Sequence, residues 1–308
     1  MFAESPCGRF LGEFVHARAG FKRRVNSLMG SSSSGNAGQR GPGQPRFMTA
    51  VPAALPDTAL EGVSIVLPCH DEAPNLIAAV KMASEAGRLN ALAHEVIIVD
   101  DGSRDRTLSL ATALAAADPA VRVVVHPTNQ GYGAALRSGI AAASQPWVLL
   151  TDADLQLDLA ELESFVPLAG DHDVIVGYRI ERHDPYGRIV AAALWNRLVD
   201  GLFHLPVRDV DCAFKLIRRK LLYQIDLESN GATISTELLV GLLGRDARLA
   251  ELGVHHRPRE AGRQSGTNPR VVARALRELI ALRRRIGPVP EKARVELRPS
   301  TRAAADGG

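Results

Sequence analysis

The sequence predicts an α/β fold in which one mostly parallel β-sheet is flanked by helices. Short runs of β-branched and other aliphatic residues alternate with Ala- and Leu-rich stretches of helical periodicity, starting at Val63. This alternation is typical of βαβ units with right-handed crossovers. Hydrophobic residues make up 46% of the 308 residues, which is enough for one well-buried domain and excludes a wholly disordered chain.

The expected elements follow this pattern in chain order. Strands are expected at 63–67, 95–99, 121–125 and 147–151, separated by helices at 74–87, 105–117 and 132–143. The alternation then becomes irregular, and the pattern indicates helices at 159–168, 188–203, 233–244 and 269–286 and strands at 173–177, around 212–217 and around 248–255.

The formal net charge of +3 conceals an uneven distribution along the chain. Residues 1–56 carry +5, residues 57–256 carry −10 and residues 257–308 carry +8. The first segment includes GSSSSGNAGQRGPGQPR, which has almost nothing to bury. We therefore predict three regions: a disordered basic extension at 1–56, a folded domain at 57–287 and a disordered tail at 288–308.

No apolar stretch approaches the roughly 18 residues that a membrane-spanning helix needs. Residues 1–24 lack the apolar run of a signal peptide, and Cys7, Cys69 and Cys212 lack metal-binding spacing. We expect a cytoplasmic protein with no signal peptide and no transmembrane segment. A further hypothesis is that translation starts at Met48, which N-terminal sequencing of the native protein would test.

Charged or Gly-rich clusters follow the first four predicted strands. They are PCHDE (68–72), DDGS (100–103), NQGYG (129–133) and DADLQ (152–156). Ligands bind beyond the carboxyl ends of the strands in open parallel sheets. We therefore expect the four clusters to form one site.

Asp152 and Asp154 are the candidate metal ligands, because side chains two residues apart in extended chain point to the same side. Mg²⁺ and Mn²⁺ favour oxygen ligands and are commonly held by one or two carboxylates together with substrate phosphates. A solvated acidic turn is the alternative. The position at a strand end favours a Mg²⁺ or Mn²⁺ site acting on a phosphate-bearing ligand.

The neighbouring clusters suggest further roles. We expect Asp101 to contact a donor nucleoside and Asp100 to bind local backbone, while Ser103 or Asp105 caps the next helix. The glycines of NQGYGAALRSG suit either an anion at backbone amides or a tight helix start. This stretch is not a P-loop, because it lacks GKS or GKT.

Six motifs in order carry a family resemblance: VSIVLPCHDEAPNL, VDDGSRDRT, NQGYGAALRSG, DADLQ, GYR and DVDCAFKLIRR. They resemble those of family 2 inverting glycosyltransferases of GT-A fold, in the dolichol-phosphate mannosyltransferase-like branch of polyprenyl-phosphate glycosyltransferases. The resemblance extends from Val63 to Gly287. It implies a GT-A-like, Rossmann-type sheet in a single catalytic domain, with an acceptor loop and basic amphipathic helix at 257–287.

The resemblance also implies the reaction and the site. A hexose, mannose or glucose, would move from a nucleotide sugar donor (GDP-mannose or UDP-glucose) to a polyprenyl phosphate of the dolichyl or undecaprenyl type. Pro68, Glu72 and Asp101 match nucleotide-binding positions, and Asp152, Asp154 and Gln156 match metal and diphosphate positions. Arg179, Arg188 and Arg263 match phosphate-handling positions, and Asp209 lies near the sugar.

Four positions depart from the family pattern. Asp71 replaces the usual Asn, His70 the usual aromatic residue, Ala192 a small polar residue and Ala213 the usual Gly. Asp71 brings negative charge close to the diphosphate, which is unfavourable unless its carboxylate is paired or bonded to backbone.

The acceptor decides whether a base is needed. A phosphate monoester has a second pKa of about 6 and is already ionised at neutral pH. A soluble hydroxy acid or sugar acceptor would need a general base, for which Asp209, Asp211 and Glu237 are candidates. A non-catalytic sugar-nucleotide-binding protein is the other alternative.

Nucleic acid is not an expected partner, because the basic ends lack interleaved aromatic residues and the acidic strand ends would repel a phosphate backbone. A membrane surface is a candidate partner. The predicted helix at 269–286 is basic and amphipathic, so it could lie on an anionic membrane at its cytoplasmic face or pack against the domain.

Overall fold

The computed structural model describes residues 58–180, 186–259, 269–287, 289 and 295–298. The predicted extension at 1–56 lies outside these residues. The predicted tail lies outside them too, except for 289 and 295–298.

One eight-stranded sheet forms the centre of this part of the chain. Its spatial order is β3-β2-β1-β4-β6-β5-β7-β8. Among the described strands, β6 alone runs antiparallel to its neighbours, β4 and β5, which confirms a mostly parallel sheet. The strands are β1 (Val63–Cys69), β2 (His94–Asp101), β3 (Val121–His126), β4 (Trp147–Leu150), β5 (Val174–Ile180), β6 (Lys215–Arg218), β7 (Leu249–His255) and β8 (Val295–Arg298).

Helices flank this sheet, as the alternating pattern predicted. They are α1 (Leu76–Asn90), α2 (Thr107–Ala117), α3 (Tyr132–Ala142), α4 (Leu162–Phe165), α5 (Tyr186–Phe203), α6 (Arg219–Leu222), α7 (Ile234–Leu243) and α8 (Pro269–Arg285). No helix in the described segments is long and apolar enough to cross a membrane.

The central strands are buried on both faces, which explains their continuous apolar sequence. Ile65 and Leu67 of β1 point into one hydrophobic cluster with α1, and Val66 points into a second cluster with α3. Gly139 of α3 packs so closely on the sheet that an added Cβ would overlap Val66. The two cores hold the carboxyl ends of β1, β2 and β4 at one edge.

The structure differs from the predicted elements in the less regular half. The predicted helix at 159–168 consists of 3₁₀ turns at Leu159–Glu161 and Val166–Gly170 on either side of α4. Pro167 explains the second turn, because its missing N–H and its ring disfavour a continuing α-helix. The strand expected around 212–217 begins at Lys215, and β8 pairs with β7 where no strand was expected.

Candidate active site

The clusters predicted from the sequence meet at one edge of the sheet. Cys69 at the end of β1 is in register with Asp100 at the end of β2, and Val66 is in register with Leu150 at the end of β4. Since β6 is antiparallel to β4, with Lys215 opposite Leu150, the DVDCAF segment before β6 reaches the same edge. The fold therefore places Asp152 close to the residues that precede β6.

Asp152 follows β4 and is surrounded by charged groups. Burial, and then the charge of Asp154, raises the pKa of Asp152 to about 6. A hydrogen bond from Tyr132 and the positive charges of Lys215 and Arg179 oppose this increase. Lys215 is itself buried, and its ammonium donates to the Cys212 carbonyl. Asp152 is thus a carboxylate that benefits from a nearby cation.

Asp154 and Gln156 are tied to neighbouring backbone. Asp154 Oδ1 accepts the Gln156 N–H at 3.1 Å, and Gln156 Nε2 donates to the Arg257 carbonyl at 3.2 Å. Leu155 between them has a φ of 63°, a left-handed conformation that is rare for a non-glycine residue. Such local strain is common where a backbone segment must present functional side chains.

The residues present fit a divalent cation. Asp152 and Asp154 are hard oxygen donors whose like charges interact, and Gln156 adds an amide oxygen. Among the described residues, no group of three or more His, Cys, Asp or Glu has metal-binding geometry. Two carboxylates completed by phosphate oxygens and water form a usual Mg²⁺ environment.

Arg259 is the residue that the sequence analysis missed. Its Nη1 lies 3.4 Å from Asp154 Oδ2, and its Nη2 forms an ion pair with Glu72 Oε1. The sequence assigned the phosphate role in this segment to Arg263, which lies outside the described residues. The only local signal for Arg259 is the dense run of arginines that follows His256.

The first strand end supplies Pro68 and Glu72. Pro68 belongs to β1, opposite Val99 of β2. Glu72 Oε2 accepts a hydrogen bond from Asn75 at 2.7 Å, while Oε1 faces Arg259. Both carboxylate oxygens of Glu72 are therefore engaged within the protein.

Asp100 and Asp101 differ in how fully their carboxylates are hydrogen-bonded. Asp101 is buried, and its carboxylate accepts the N–H groups of Gln130 and Gly131, both at 2.9 Å, and contacts His126 Nδ1 at 2.7 Å. Asp100 is also buried. Its Oδ2 accepts the Ser103 N–H at 3.4 Å, the contact with local backbone that was expected, while its Oδ1 has no hydrogen-bond partner. The motif pattern predicted the nucleoside contact at Asp101, whereas the carboxylate oxygen without a partner belongs to Asp100.

The glycine-rich helix start binds an internal anion. Gly131, at a φ of 104°, donates its N–H to Asp101, and Gly133 donates to the Asn230 carbonyl. These two amides already have partners inside the protein. The stretch therefore serves as a tight helix start held by Asp101.

Asp71 shows how the departure from the family pattern is accommodated. Its φ of 57° lies in the left-handed region, which Asp tolerates better than most residues. Its Oδ1 accepts the N–H of Arg104 at 2.7 Å, with Asp105 N at 3.3 Å. The extra negative charge is thus bonded to backbone. Asp105 accepts the Thr107 N–H at the start of α2, as expected of a cap.

Arg179 is held by Asp209. Arg179 Nε lies 2.7 Å from Asp209 Oδ2 and Nη2 lies 2.8 Å from Oδ1. This hydrogen-bonded charge pair raises the pKa of Arg179 despite the opposing effect of its burial. Arg188 lies on α5, where its side chain is not among those described.

The three candidate bases differ in how many hydrogen bonds and ion pairs their carboxylates already make. Asp209 is engaged by Arg179, and Glu237 accepts the N–H groups of Glu228 and Ser229 and pairs with Arg285. Asp211 Oδ1 has no hydrogen-bond partner. Burial, and then the charge of Asp209, raises the pKa of Asp211 to about 6. The charges of Lys215 and Arg179 and the indole N–H of Trp195 oppose this increase. Of the three carboxylates, Asp211 is the one whose Oδ1 accepts no hydrogen bond.

The fold is of the GT-A glycosyltransferase type. It combines this sheet order with the paired carboxylates Asp152 and Asp154 after β4 and with the Arg179–Asp209 ion pair beside them. The Glycosyl transferase family 2 model matches residues 64–226, more than half of the chain. The chain belongs to this family, which confirms the resemblance carried by the six motifs.

Relatives are found at moderate identity. The undecaprenyl-phosphate 4-deoxy-4-formamido-L-arabinose transferase of Yersinia pestis (strain Pestoides F) is 31% identical over 206 residues, which cover 66% of this chain and 62% of that protein. Its counterpart from Yersinia pseudotuberculosis serotype IB (strain PB1/+) has the same identity and coverage. The chain thus matches less than two thirds of the length of these relatives.

Solved structures share the fold. Glucosyl-3-phosphoglycerate synthase from Mycobacterium tuberculosis in complex with Mn²⁺, UDP-glucose and phosphoglyceric acid has a TM-score of 0.58 and 20% identity, covering 75% of this chain and 81% of that chain. The same enzyme in complex with UDP has a TM-score of 0.56 and 21% identity, covering 75% and 82%.

Proposed function

We propose that this protein is a metal-dependent inverting glycosyltransferase that moves a hexose, mannose or glucose, from a nucleotide diphosphate sugar to a polyprenyl phosphate. The observation that carries the proposal is the convergence of Asp152 and Asp154 with the Arg179–Asp209 pair at one sheet edge. An acidic pair suits the donor's metal and diphosphate, and a fixed guanidinium suits a phosphate.

Asp152, Asp154 and Gln156 would hold Mg²⁺ or Mn²⁺. A bound cation neutralises the charge that develops on a diphosphate leaving group. The nucleotide would bind beside these metal ligands, at the ends of β1 and β2, where Pro68, Glu72 and Asp100 lie. We assign the nucleoside contact to Asp100, because its Oδ1 is a buried acceptor without a partner whereas the Asp101 carboxylate is engaged.

The acceptor side contains the arginines. Arg179 is oriented by Asp209 and belongs to β5, beside the segment that precedes β6. Arg188 and Arg263 complete the proposed phosphate-binding group. The acceptor phosphate is ionised at neutral pH, so no side chain has to remove a proton from it. The name of the Yersinia pestis relative, an undecaprenyl-phosphate sugar transferase, supports this acceptor class.

A soluble acceptor is the second candidate. Asp211 favours it, because a carboxyl with a pKa of about 6 and an unpaired oxygen suits a general base for a hydroxyl group. The structure of the Mycobacterium tuberculosis enzyme contains phosphoglyceric acid, a small and water-soluble molecule. A protein that binds sugar nucleotides without turnover is the third candidate.

We also propose that the protein acts at the cytoplasmic face of a membrane, where a polyprenyl phosphate is found. Helix α8 buries Leu279 and Leu282 but exposes Val272, Leu276 and Ile280, by 45%, 39% and 52%. Exposed arginines follow on its last turn. An apolar stripe beside basic side chains suits the interface of an anionic membrane. Helix α5 exposes a second stripe, at Val190, Leu194 and Leu198.

An acceptor panel tests the proposal. The purified protein is incubated with labelled GDP-mannose or UDP-glucose, Mn²⁺ or Mg²⁺, and either a short-chain polyprenyl phosphate or phosphoglyceric acid. Label extracted with the lipid supports the proposed function. Label in a water-soluble product supports the second candidate, and binding without turnover supports the third.

A further inference from the structure

Arg259 lies between two acidic residues that come from different strand ends. Its guanidinium pairs with Glu72, after β1, and lies 3.4 Å from Asp154 Oδ2, after β4. All three side chains are only 13–14% exposed. Poor access to solvent strengthens such charge interactions compared with a surface pair. Arg259 therefore supplies positive charge at the carboxylate assigned to the metal.

The backbone holds Arg259 in this position. Arg257 donates its N–H to the Gln156 carbonyl at 2.8 Å, and Gln156 returns a side-chain hydrogen bond to the Arg257 carbonyl. Leu157 and His256 form an isolated antiparallel bridge. The Arg257 side chain also pairs with Asp158 at 2.7 Å. These contacts fix the segment before Arg259 alongside the residues that follow Asp154.

A divalent cation and this guanidinium would compete for the same oxygen. Asp154 Oδ1 accepts the Gln156 N–H, and Oδ2 is the atom that faces Arg259, so a metal bound at Oδ2 would lie directly beside the guanidinium. Two positive charges this close repel each other, and a metal without a counter-anion must first displace the guanidinium. A nucleoside diphosphate changes the balance because its negative charges attract both cations.

We propose that Arg259 is an internal counterion that makes divalent cation binding depend on the nucleoside diphosphate. The proposal rests on the metal site of the proposed function. Without nucleotide, Arg259 neutralises Asp154 and disfavours the metal. With a nucleoside diphosphate, the phosphate oxygens ligate the metal and reduce the repulsion, so metal and nucleotide each strengthen the binding of the other. Arg259 is a positioning residue in this scheme, since it acts through Asp154.

The test measures Mn²⁺ binding to the full chain from the electron paramagnetic resonance signal of free Mn²⁺. The titration is run with Mn²⁺ alone and with saturating UDP or GDP, and the Mn²⁺ that each nucleotide binds without protein is measured in parallel and subtracted. In the wild type, Mn²⁺ binds weakly alone and more tightly with nucleotide. In Arg259→Gln, Mn²⁺ alone binds roughly tenfold more tightly, and the gain on adding nucleotide shrinks by a similar factor.

Two further variants separate this role from general charge effects. Arg248→Gln removes the same charge from the opposite end of β7, where Arg248 is 58% exposed and paired with Asp173, and leaves Mn²⁺ affinity unchanged. Arg259→Lys keeps the charge and restores weak binding of Mn²⁺ alone. An unchanged or weaker affinity in Arg259→Gln, or equal tightening in Arg248→Gln, overturns the proposal. Because no acceptor is present, this result is independent of which acceptor the enzyme uses.

Discussion

Arg179 and Asp209 form a bidentate ion pair, with Nε 2.7 Å from Oδ2 and Nη2 2.8 Å from Oδ1. Both side chains are largely buried, at 14% and 7% exposure. The pair joins β5 to the segment before β6 and fixes the direction of one guanidinium beside Asp152. A guanidinium held in one direction suits the phosphate role proposed for Arg179.

Removing Asp209 should therefore affect both stability and transfer. Asp209→Ala leaves Arg179 buried without its partner and should lower the free energy of unfolding by about 3–5 kcal/mol. Asp209→Asn keeps the shape but loosens the guanidinium, and should lower transfer by roughly 100-fold. Urea denaturation and the lipid-product assay measure the two effects.

The matched control is Glu85→Ala, which breaks the exposed Glu85–Arg88 pair at 3.8 Å. Its effect on the free energy of unfolding should stay below about 1 kcal/mol. If Asp209→Ala is no more destabilising than this control, the buried pair does not stabilise the site as described.

The two adjacent carboxylates at the end of β2 should respond differently to substitution. Asp101→Ala removes the buried acceptor of two backbone N–H groups, those of Gln130 and Gly131, and should lower the free energy of unfolding by about 2–4 kcal/mol. Asp100→Asn should change stability little but weaken binding of UDP or GDP about tenfold, because the oxygen assigned to the nucleoside is altered. Calorimetric titration and thermal denaturation separate the two. Loss of nucleotide binding in a stably folded Asp101→Asn variant, with Asp100→Asn unaffected, would reverse this assignment.

Asp211 should give the protein an unusual pH dependence of stability. Its folded-state pKa of about 6 exceeds the ordinary 3.8, so the folded state binds more protons between these values. The stability that follows from a neutral Asp211 is present at pH 4 and is lost as the pH rises through 6. Asp211→Asn should therefore be more stable than the wild type at pH 8, by up to about 3 kcal/mol, and the difference should vanish toward pH 4.

Thermal denaturation from pH 4 to pH 8 measures the effect of Asp211. Asp171→Asn, which removes one carboxylate at an exposed position, is the control. If the stability difference between Asp211→Asn and the wild type is the same at every pH, the pKa of Asp211 is not raised by the folded structure.

The exposed stripe of α8 should bind anionic lipid. In flotation with liposomes that contain anionic lipid, the wild-type chain should float with the vesicles, and the double variant Leu276→Ser/Ile280→Ser should stay at the bottom. Leu92→Ser is the control, because Leu92 is 72% exposed elsewhere on the surface. If the double variant floats as well as the wild type, the exposed stripe of α8 does not bind the membrane.

The sequence predicted most where the physics is local. The strands β1, β2 and β4 are buried on both faces, so their apolar runs are continuous and easily recognised. The turn residues after them had to cluster, because parallel strands end at one edge. The expected mostly parallel sheet flanked by helices, and the family to which its motifs pointed, were both confirmed.

Contacts between residues far apart in the chain leave no local pattern in the sequence. Arg259 meets Glu72 across 187 positions of sequence, so no local pattern could single it out from the neighbouring arginines. Asp100 and Asp101 are both acidic residues at one strand end, and which carboxylate is engaged depends on how the loop at Gly131 packs against them. The strand β8 exists through its pairing with β7, and four residues carry too weak a pattern to reveal it.

Transfer of labelled sugar to a defined lipid tests the proposed polyprenyl phosphate acceptor. The protein is incubated with Mn²⁺, labelled GDP-mannose or UDP-glucose, and either a polyprenyl phosphate or the corresponding polyprenol, and the lipid phase is counted. We predict label with the polyprenyl phosphate, none with the alcohol, and none when Asp152→Ala replaces the wild type. Full transfer by Asp152→Ala would rule out the metal site at this carboxylate, and no label in lipid from the wild type with either donor would rule out the lipid acceptor.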